Sequence, residues 1–217
     1  MYKFEKPIEM PRGSHYGSNY WIMYSRKLNR NVKAYSNLEH ENHLTLEMDP
    51  EVEYYCEQPL RTEVYIDSKK HTTVFDVWVL YKDGREEFQE VKYTSDLDKS
   101  QSQIAVQKAW CDQSGFSYTV RTEQDIEKGE MYIRNLDMLY GKVRRGVGID
   151  PKMLIPIIER INEMGQPTIG QLSMTGMFSK GQTVNFLAYL YSKGLISFSN
   201  IDSEPVTNTT EVIYIGK

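Results

Sequence analysis

The pattern of apolar and polar residues predicts two consecutive β-strands in the middle of the chain. The run from Thr72 to Tyr81 is rich in β-branched and aromatic residues, and this character resumes from Phe88 to Tyr93. Between the two runs lies Lys82-Asp83-Gly84-Arg85, a strong turn signal. The sequence therefore predicts an antiparallel hairpin.

The loop length of this hairpin decides which side chains face each other. A three-residue loop that ends at Gly84, with the glycine in a left-handed conformation, places Asp76 opposite Glu90. The same register places Val74 opposite Lys92. Because side chains alternate along a strand, Glu90 and Lys92 then share one face.

A shorter loop would change this arrangement. With two loop residues, Asp76 would face Val91, and Glu90 would turn to the other face of the sheet. The prediction of a carboxylate pair therefore depends on the register.

Two carboxylates directly opposite each other destabilise a sheet unless a cation lies between them. A hard divalent cation takes oxygen ligands and keeps several waters, one of which can become the nucleophile in phosphodiester hydrolysis. A neighbouring lysine can orient or deprotonate that water and stabilise the developing charge. Asp76, Glu90 and Lys92 therefore indicate a metal-dependent nuclease. The alternative is an ordinary solvated strand face with a local ion pair.

Predicted helices surround the hairpin and indicate an α/β core. Ser36 is placed to cap a helix from about Leu38 to Met48, which Asp49-Pro50 ends. A polar helix follows the hairpin at residues 97–114, and a buried strand follows at residues 116–121.

A further strand is predicted before the hairpin, where residues 61–66 alternate in character. Gln58 and Pro59, just ahead of it, are expected to shape the entry to the sheet. A DNA contact from Gln58 is the alternative.

At these residues the chain resembles a known family, the TnsA-like endonuclease subunits of heteromeric, Tn7-type transposases, which belong to the restriction-endonuclease-like superfamily. The matching segments follow the family's order and spacing over roughly residues 30 to 125. They are Ser36-Asn37-Leu38-Glu39, Leu46-Glu47-Met48-Asp49-Pro50, Glu57-Gln58-Pro59-Leu60, Phe75-Asp76-Val77 and Gln89-Glu90-Val91-Lys92. The resemblance implies an α/β fold with a restriction-endonuclease-like mixed sheet.

The resemblance also implies roles for individual residues. Asp76 and Glu90 would be metal ligands, together with the Val91 carbonyl, and Lys92 would be the catalytic lysine. Glu39 on the preceding helix would complete the catalytic and metal-binding set. Glu41 on the same helix is a rival for this role, and only the family pattern favours Glu39.

A cofactor and partners follow from the same resemblance. The cofactor would be Mg²⁺, with Mn²⁺ as a substitute, and the substrate would be double-stranded DNA at transposon ends. A TnsB-like recombinase and a TnsC-like AAA+ ATPase would be partners. The alternatives are a stand-alone phage or repair nuclease of the same superfamily, and a non-catalytic, partner-recruiting protein with a vestigial site.

Charge is distributed unevenly along the chain, although the net charge is only -4. Residues 1–35 hold seven Lys and Arg against two Glu, whereas residues 36–95 hold fourteen acids against six bases. In the first segment, cations mixed with aromatics suit phosphate contacts. The DNA-binding candidates there are Arg26, Lys27, Arg30 and Lys33. The alternative for this segment is a solvated β-hairpin with Asn31 near its turn.

The polar helix at residues 97–114 contributes further candidates. Lys99, Gln103 and Gln107 recur every four residues and therefore project on one side. Such a stripe is usually solvated, but it follows the predicted catalytic strand. We therefore add Lys99 and Gln103 to the DNA-binding candidates.

The C-terminal third predicts a separate domain. Glycines and cations at residues 141–148 suggest a linker, so we divide the chain into a catalytic domain, residues 1–145, and a second domain, residues 146–217. The latter predicts three helices and then two strands, a winged-helix-like pattern. Because its third helix carries only two cations, at its ends, we favour protein docking or domain packing over DNA reading.

Bulk properties exclude other classes of protein. The apolar runs are much shorter than the roughly 20 residues that span a bilayer, and the N-terminal segment has no signal-peptide core. We therefore expect a cytoplasmic protein without a membrane partner.

Overall fold

The computed structural model describes residues 3–9, 19–66, 69–145 and 149–216. The chain divides into two compact units. The first consists of Met1–Leu46 and Glu51–Ile126, and the second of Glu47–Pro50 and Glu127–Lys217.

The first unit is built on a four-stranded mixed sheet. Its strands are β3 (Val52–Glu57), β6 (Val77–Tyr81), β7 (Glu86–Val91) and β8 (Ser117–Arg121), in the order β3-β6-β7-β8. Strand β6 is antiparallel to both β3 and β7, whereas β8 is parallel to β7. This mixed sheet fits the restriction-endonuclease-like core that the sequence predicted.

Two hairpins and three helices complete the described part of this unit. The hairpins are β1 (Trp21–Ser25) with β2 (Arg30–Ala34), and β4 (Arg61–Ile66) with β5 (Lys69–Val74). The helices are α1 (Asn37–Met48), α2 (Leu97–Ser114) and α3 (Glu123–Glu127). The last two residues of α1 and the last residue of α3 belong to the second unit. A single 3-10 turn, Thr94–Asp96, joins β7 to α2.

Helix α2 packs on the sheet through aromatic side chains. The ring of Trp110 lies 5.3 Å from that of Phe75 and 5.4 Å from that of Phe88, centroid to centroid. Phe75 and Phe88 are fully buried, and burial of such rings is a major source of core stability. Gly115 ends the helix in a left-handed conformation (φ +76°), as helix C-termini often require.

Helix α1 meets the opposite face of strand β7. The side-chain amide of Asn42 donates to Oε1 of Gln89 at 3.0 Å, and both residues are fully buried. Gln89 precedes Glu90, so the two side chains point to opposite faces. Strand β7 is therefore held from both sides, with α1 on the Gln89 face and α2 on the Glu90 face.

The register of the β6–β7 hairpin is that of the three-residue loop, one of the two that the sequence left open. Val77 pairs with Gln89, and Leu80 pairs with Glu86. The three-residue loop contains Gly84 at φ +85°. Continuation of this register by one residue puts Asp76 opposite Glu90.

The predicted strand from Thr72 to Tyr81 is wrong in one respect. It is interrupted at Phe75-Asp76, and its first part is β5, which belongs to a different hairpin. Val74 consequently pairs with Arg61 and not with Lys92. Strand β3 was not predicted, because most of its residues are apolar or buried and give no clear alternation.

The β1–β2 hairpin is the structure that was considered as an alternative to a DNA-binding segment. Its turn lies at residues 26–29, where Asn29 has a φ of +53°. The turn was expected near Asn31, but Asn31 pairs with Tyr24 within the ladder.

The described part of the second unit contains the predicted helices and strands. They are α5 (Ile155–Met164), α6 (Ile169–Met174), α7 (Lys180–Ser192), β9 (Ile196–Phe198) and β10 (Val212–Tyr214), and a 3-10 turn, Pro151–Leu154, precedes them. Strands β9 and β10 are antiparallel. The winged-helix assignment of this unit stays a prediction.

An additional helix, α4 (Tyr132–Arg145), also belongs to the second unit. It contacts α7 and buries Leu136, Leu139 and Tyr140 on one side. The linker predicted at residues 141–148 is therefore helical as far as Arg145, while residues 146–148 lie outside the described residues. The compact units divide about twenty residues before the predicted domain boundary at residue 146, because α4 packs within the second unit.

Helix α7 is the central helix of the second unit. Phe186, Leu187, Ala188 and Leu190 are all buried, so more than one side of the helix is covered. The preference for protein docking or domain packing over DNA reading stays a prediction.

Within the described ranges, no helix combines the length and apolar character needed to cross a membrane.

Candidate active site

Glu39, Asp76 and Lys92 line an open cleft of about 540 Å³ in the first unit, and Glu90 is buried in contact with Lys92. Helix α1, the start of β6, the end of β7 and helix α2 all contribute to its walls. The lining residues are Tyr35, Ser36, Glu39, Gln58, Thr72, Thr73, Val74, Asp76, Lys92 and Gln103.

Asp76 is fixed at the point where the chain enters β6. Its Oδ2 accepts a hydrogen bond from the backbone N–H of Val91 at 2.8 Å, which ties it to the end of β7. Its backbone carbonyl accepts from the N–H of Gln58 at 2.8 Å. The break in the strand at Phe75-Asp76 therefore turns the Asp76 carboxylate towards β7 and does not release it from the sheet.

Glu90 is completely buried and bonded on both carboxylate oxygens. Its Oε1 accepts from the Gln103 amide at 2.7 Å and lies 2.5 Å from Nζ of Lys92. Its Oε2 accepts from the Gln107 amide at 2.6 Å.

Gln107 is held in turn by the surrounding strands. Its side-chain oxygen accepts from the hydroxyl of Tyr118 at 2.7 Å, which fixes the orientation of the amide. The amide nitrogen also donates to Oγ1 of Thr73 at 3.1 Å. Gln107 was part of the predicted stripe but not of the predicted site, because its contact with Glu90 depends on how α2 lies on the sheet.

Glu39 reaches the cleft from the first turn of α1. Its N–H donates to Oγ of Ser36 at 3.1 Å, the predicted helix cap, and its Oε2 accepts from the N–H of Tyr35 at 3.0 Å. Glu41, the rival carboxylate, does not line the described cleft. The structure therefore places Glu39, and not Glu41, beside Asp76.

Acidic groups outnumber basic ones in this cleft, and the pKa values reflect it. Burial and the charge of Asp76 raise the pKa of Glu39 to about 7. The same two causes, burial first, raise the pKa of Glu90 to about 8. Burial alone would lower the pKa of Lys92, but Asp76 and Glu90 outweigh it and raise the pKa above the usual value. Lys92 is therefore a cation at neutral pH.

The donor set suits a hard divalent cation in its chemistry. It offers carboxylate oxygens that repel one another, and a cation among them would lower the pKa values of Glu39 and Glu90. Among the described residues, however, no group of three or more acids, histidines or cysteines is arranged as a ready-made metal site. Glu90 is turned to Lys92 and the two glutamines, so metal binding requires it to exchange at least one of these contacts.

The predicted DNA-binding residues are dispersed. Gln103 lines the cleft but binds Glu90, and Lys99 is highly exposed beside Asp96. Arg30 makes two hydrogen bonds of 2.7 Å to the buried Glu57, so its guanidinium is engaged within the protein.

The other basic candidates lie on the β1–β2 hairpin. Lys27 donates to the carbonyl of Val52 at 2.6 Å, and Arg26 is half-buried. Lys33 is exposed and lines a second cleft next to the first. Of the basic DNA-binding candidates, Lys33 is thus the one placed beside the active-site cleft.

The match with a known family agrees with this geometry. Residues 49–123 match the family described as TnsA-like endonuclease N terminal, and this segment carries Asp76, Glu90 and Lys92. The match covers about a third of the 217 residues. It confirms the resemblance to TnsA-like endonucleases, with which a restriction-endonuclease-like fold is consistent. No protein of curated function matches the chain.

Proposed function

We propose that this protein is a metal-dependent DNA endonuclease that hydrolyses a phosphodiester bond at transposon ends. The observation that carries the proposal is that Glu39, Asp76 and Lys92 line one cleft and the buried Glu90 contacts Lys92, with the pKa values of Glu39 and Glu90 raised by burial and by the charge of Asp76. Buried acids in excess of their cations are costly for stability and occur chiefly at functional sites. The family match over residues 49–123 supports the same class of reaction.

Asp76, Glu90, Glu39 and the Val91 carbonyl are the groups that would hold the cation, which we propose is Mg²⁺, with Mn²⁺ as a substitute. Such a cation lowers the pKa of a bound water and neutralises charge on the attacked phosphate. Asp76 is positioned for this role by its hydrogen bond to Val91. Glu90 is kept in place by its glutamine partners on α2.

Lys92 has an electrostatic role in this proposal. Its side chain is about one-quarter exposed and lines the cleft, and its raised pKa keeps it protonated at neutral pH. A protonated lysine cannot remove a proton from water, but it can orient the water and stabilise the negative charge that develops on the phosphate. Of the two roles considered for this lysine, we therefore propose charge stabilisation.

The partners are part of the same proposal. As a TnsA-like subunit, the protein would act on double-stranded DNA together with a TnsB-like recombinase and a TnsC-like AAA+ ATPase. The support for these partners is the family resemblance. The excess of acid around the cleft agrees with this, because a nuclease with few exposed cations near its site gains from a partner that holds the DNA.

The decisive experiment is cleavage of duplex DNA that carries the transposon ends, with Mg²⁺, Mn²⁺ or EDTA and with or without the recombinase and the ATPase. We expect cleavage with either cation and none in EDTA. Asp76→Ala and Lys92→Ala should abolish it. Asp112→Ala, which removes an exposed acid from α2, is the matched control and should cleave like the parent. A folded Asp76→Ala protein that cleaves as well as the parent would refute the assignment.

A further inference from the structure

Gln58 has a backbone conformation that its sequence disfavours. Its φ is +36°, in the left-handed region that residues other than glycine, asparagine and aspartate seldom adopt. The next residue is Pro59, which pushes the residue before it towards extended conformations. A conformation of this kind persists only where the surrounding structure enforces it, and such residues cluster at functional sites.

Two hydrogen bonds hold the backbone of Gln58 in this conformation. Its N–H donates to the carbonyl of Asp76 at 2.8 Å, and its own carbonyl accepts from the N–H of Ile8 at 2.9 Å. These bonds explain why the chain turns sharply here beside Asp76. They do not explain why the residue is glutamine, because glycine or asparagine would adopt the same turn at a lower cost.

The position of the Gln58 side chain explains why this residue is glutamine. Gln58 is only 4% exposed, and it lines both the active-site cleft and a second cleft of about 270 Å³. Tyr35 is also common to both clefts, and Lys33 lines the second one. The side-chain amide makes no hydrogen bond with any residue in the described ranges. A largely buried polar side chain at the junction of two clefts is therefore available to a ligand.

A neutral donor suits this position better than a cation would. A lysine or arginine so close to Asp76 would pair with the carboxylates and compete with a bound metal ion. An amide can donate to a phosphate oxygen without doing so. Beyond Gln58, Lys33 offers a second group for the DNA backbone, although Glu9 also lines that cleft.

We propose that the amide of Gln58 binds a backbone phosphate of the DNA strand next to the phosphate that is hydrolysed. The strand then continues over the second cleft past Lys33. The inference rests on the proposed nuclease function and adds a positioning residue and a path for the strand. The unfavourable backbone of Gln58 is, in this view, the cost of holding its amide beside the scissile phosphate.

The test compares stability with DNA affinity in the full-length protein. Gln58→Gly removes the side chain and relieves the backbone, so we expect an unchanged Tm or one higher by about 2–4 °C. We expect DNA binding about ten-fold weaker, the loss of one hydrogen bond to a charged group. Affinity is measured by fluorescence anisotropy with labelled duplexes and Ca²⁺, which takes the same oxygen ligands as Mg²⁺.

A second variant tests whether weaker DNA binding comes from a folding defect. Gln58→Asn tolerates a positive φ and shortens the side chain by one methylene, so it should fold and also bind DNA more weakly. Unrelated duplex sequences should lose affinity equally, since a phosphate contact carries no sequence information. A loss confined to one sequence would indicate a base contact and would overturn the phosphate assignment.

The remaining outcomes separate this inference from the proposed function. If both variants bind DNA as tightly as the parent, or if the parent binds no DNA, the role of Gln58 is wrong. If the parent binds DNA with the expected dependence on Gln58 but does not cleave it with Mg²⁺ or Mn²⁺ even when the recombinase and the ATPase are added, the nuclease function is wrong and the DNA contact stands.

Discussion

Two buried ion pairs in the first unit resemble each other in geometry but differ in their surroundings. Arg30 binds Glu57 through two hydrogen bonds of 2.7 Å, and Lys92 lies 2.5 Å from Glu90. The carboxylates of both pairs are almost completely buried. Each pair joins residues that the sheet or its neighbouring hairpin brings together.

The difference lies in the balance of charge. At Arg30, burial alone would lower the pKa, but Glu57 outweighs it, so the pKa of the guanidinium is raised and the pair is matched. At Lys92, one cation faces Glu90 and is also influenced by Asp76 and Glu39. The charges of the Arg30–Glu57 pair balance each other, so we assign this pair a structural role. The second leaves uncompensated negative charge, which is what a cation-binding site requires.

The largest effect we expect is on catalysis, from Asp76→Asn. Asparagine keeps an acceptor for the Val91 N–H but removes one of the crowded charges. Cleavage should fall by at least about 10³-fold because a proposed metal ligand is lost. The free energy of unfolding should stay the same or rise, because repulsion is relieved. Cleavage kinetics and denaturant unfolding of the same protein sample measure both.

A loss of stability in Asp76→Asn would contradict the comparison, since it would make Asp76 a structural residue like Glu57. Asp83→Asn is the matched control. Asp83 lies in the exposed turn between β6 and β7, so neither activity nor stability should change by a measurable amount beyond about 0.5 kcal/mol.

For Glu57→Gln we expect the reverse of Asp76→Asn, a loss of stability without a loss of cleavage. This change leaves Arg30 largely buried without its counter-charge, and breaking a buried pair in this way costs about 3 kcal/mol. Urea unfolding measures the loss. Cleavage per folded molecule should remain within about two-fold of the parent, because Glu57 does not line the active-site cleft. A Glu57→Gln protein that is as stable as the parent but inactive would show that the Arg30–Glu57 pair is not purely structural.

The pH dependence of stability separates the two pairs further. The pKa of Glu39 is raised from 4.5 to about 7 and that of Glu90 from 4.5 to about 8. The folded protein therefore binds more protons than the unfolded chain between these limits, and its stability falls as pH rises through them. In EDTA we expect a decrease of several kcal/mol between pH 5 and pH 8.

Two comparisons sharpen this pH prediction. Asp76→Asn should flatten the profile, since the Asp76 charge contributes to both raised pKa values. Mg²⁺ should raise the Tm more at pH 8 than at pH 5, because protonated carboxyl groups bind the cation poorly. A metal-free stability that rises from pH 5 to pH 8 would contradict the assigned excess of acid.

Local signals predicted the turn and the helix cap near this site, although not the length of the loop. The turn at Gly84 was predicted, but the sequence left two loop lengths open, and the structure has the three-residue loop that sets Asp76 opposite Glu90. Ser36 likewise marked the start of α1. These residues act on their immediate neighbours, so their effect can be read from the sequence.

Features that depend on contacts distant in sequence could not be predicted. Gln107 reaches Glu90 only because α2 packs on the sheet through Trp110. The break at Phe75-Asp76 arises where the chain passes from the β4–β5 hairpin to the four-stranded sheet, and no glycine or proline marks it. Helix α4 was missed because Gly141 and nearby cations resemble a linker, although the helix buries a regular apolar face.

The smallest expected effect concerns Ser36, where a helix cap and the site coincide. Ser36→Ala removes the acceptor for the Glu39 N–H and should cost about 1 kcal/mol. Ser179 caps α7 in the same way, so Ser179→Ala should cost a similar amount in the second unit. The two variants differ in what the cap positions: cleavage should fall several-fold in Ser36→Ala, because the first turn of α1 carries Glu39, and should not change in Ser179→Ala. Equal activity in both folded variants would mean that Glu39 does not need a fixed first turn, and would reduce its role in the site to that of a nearby charge.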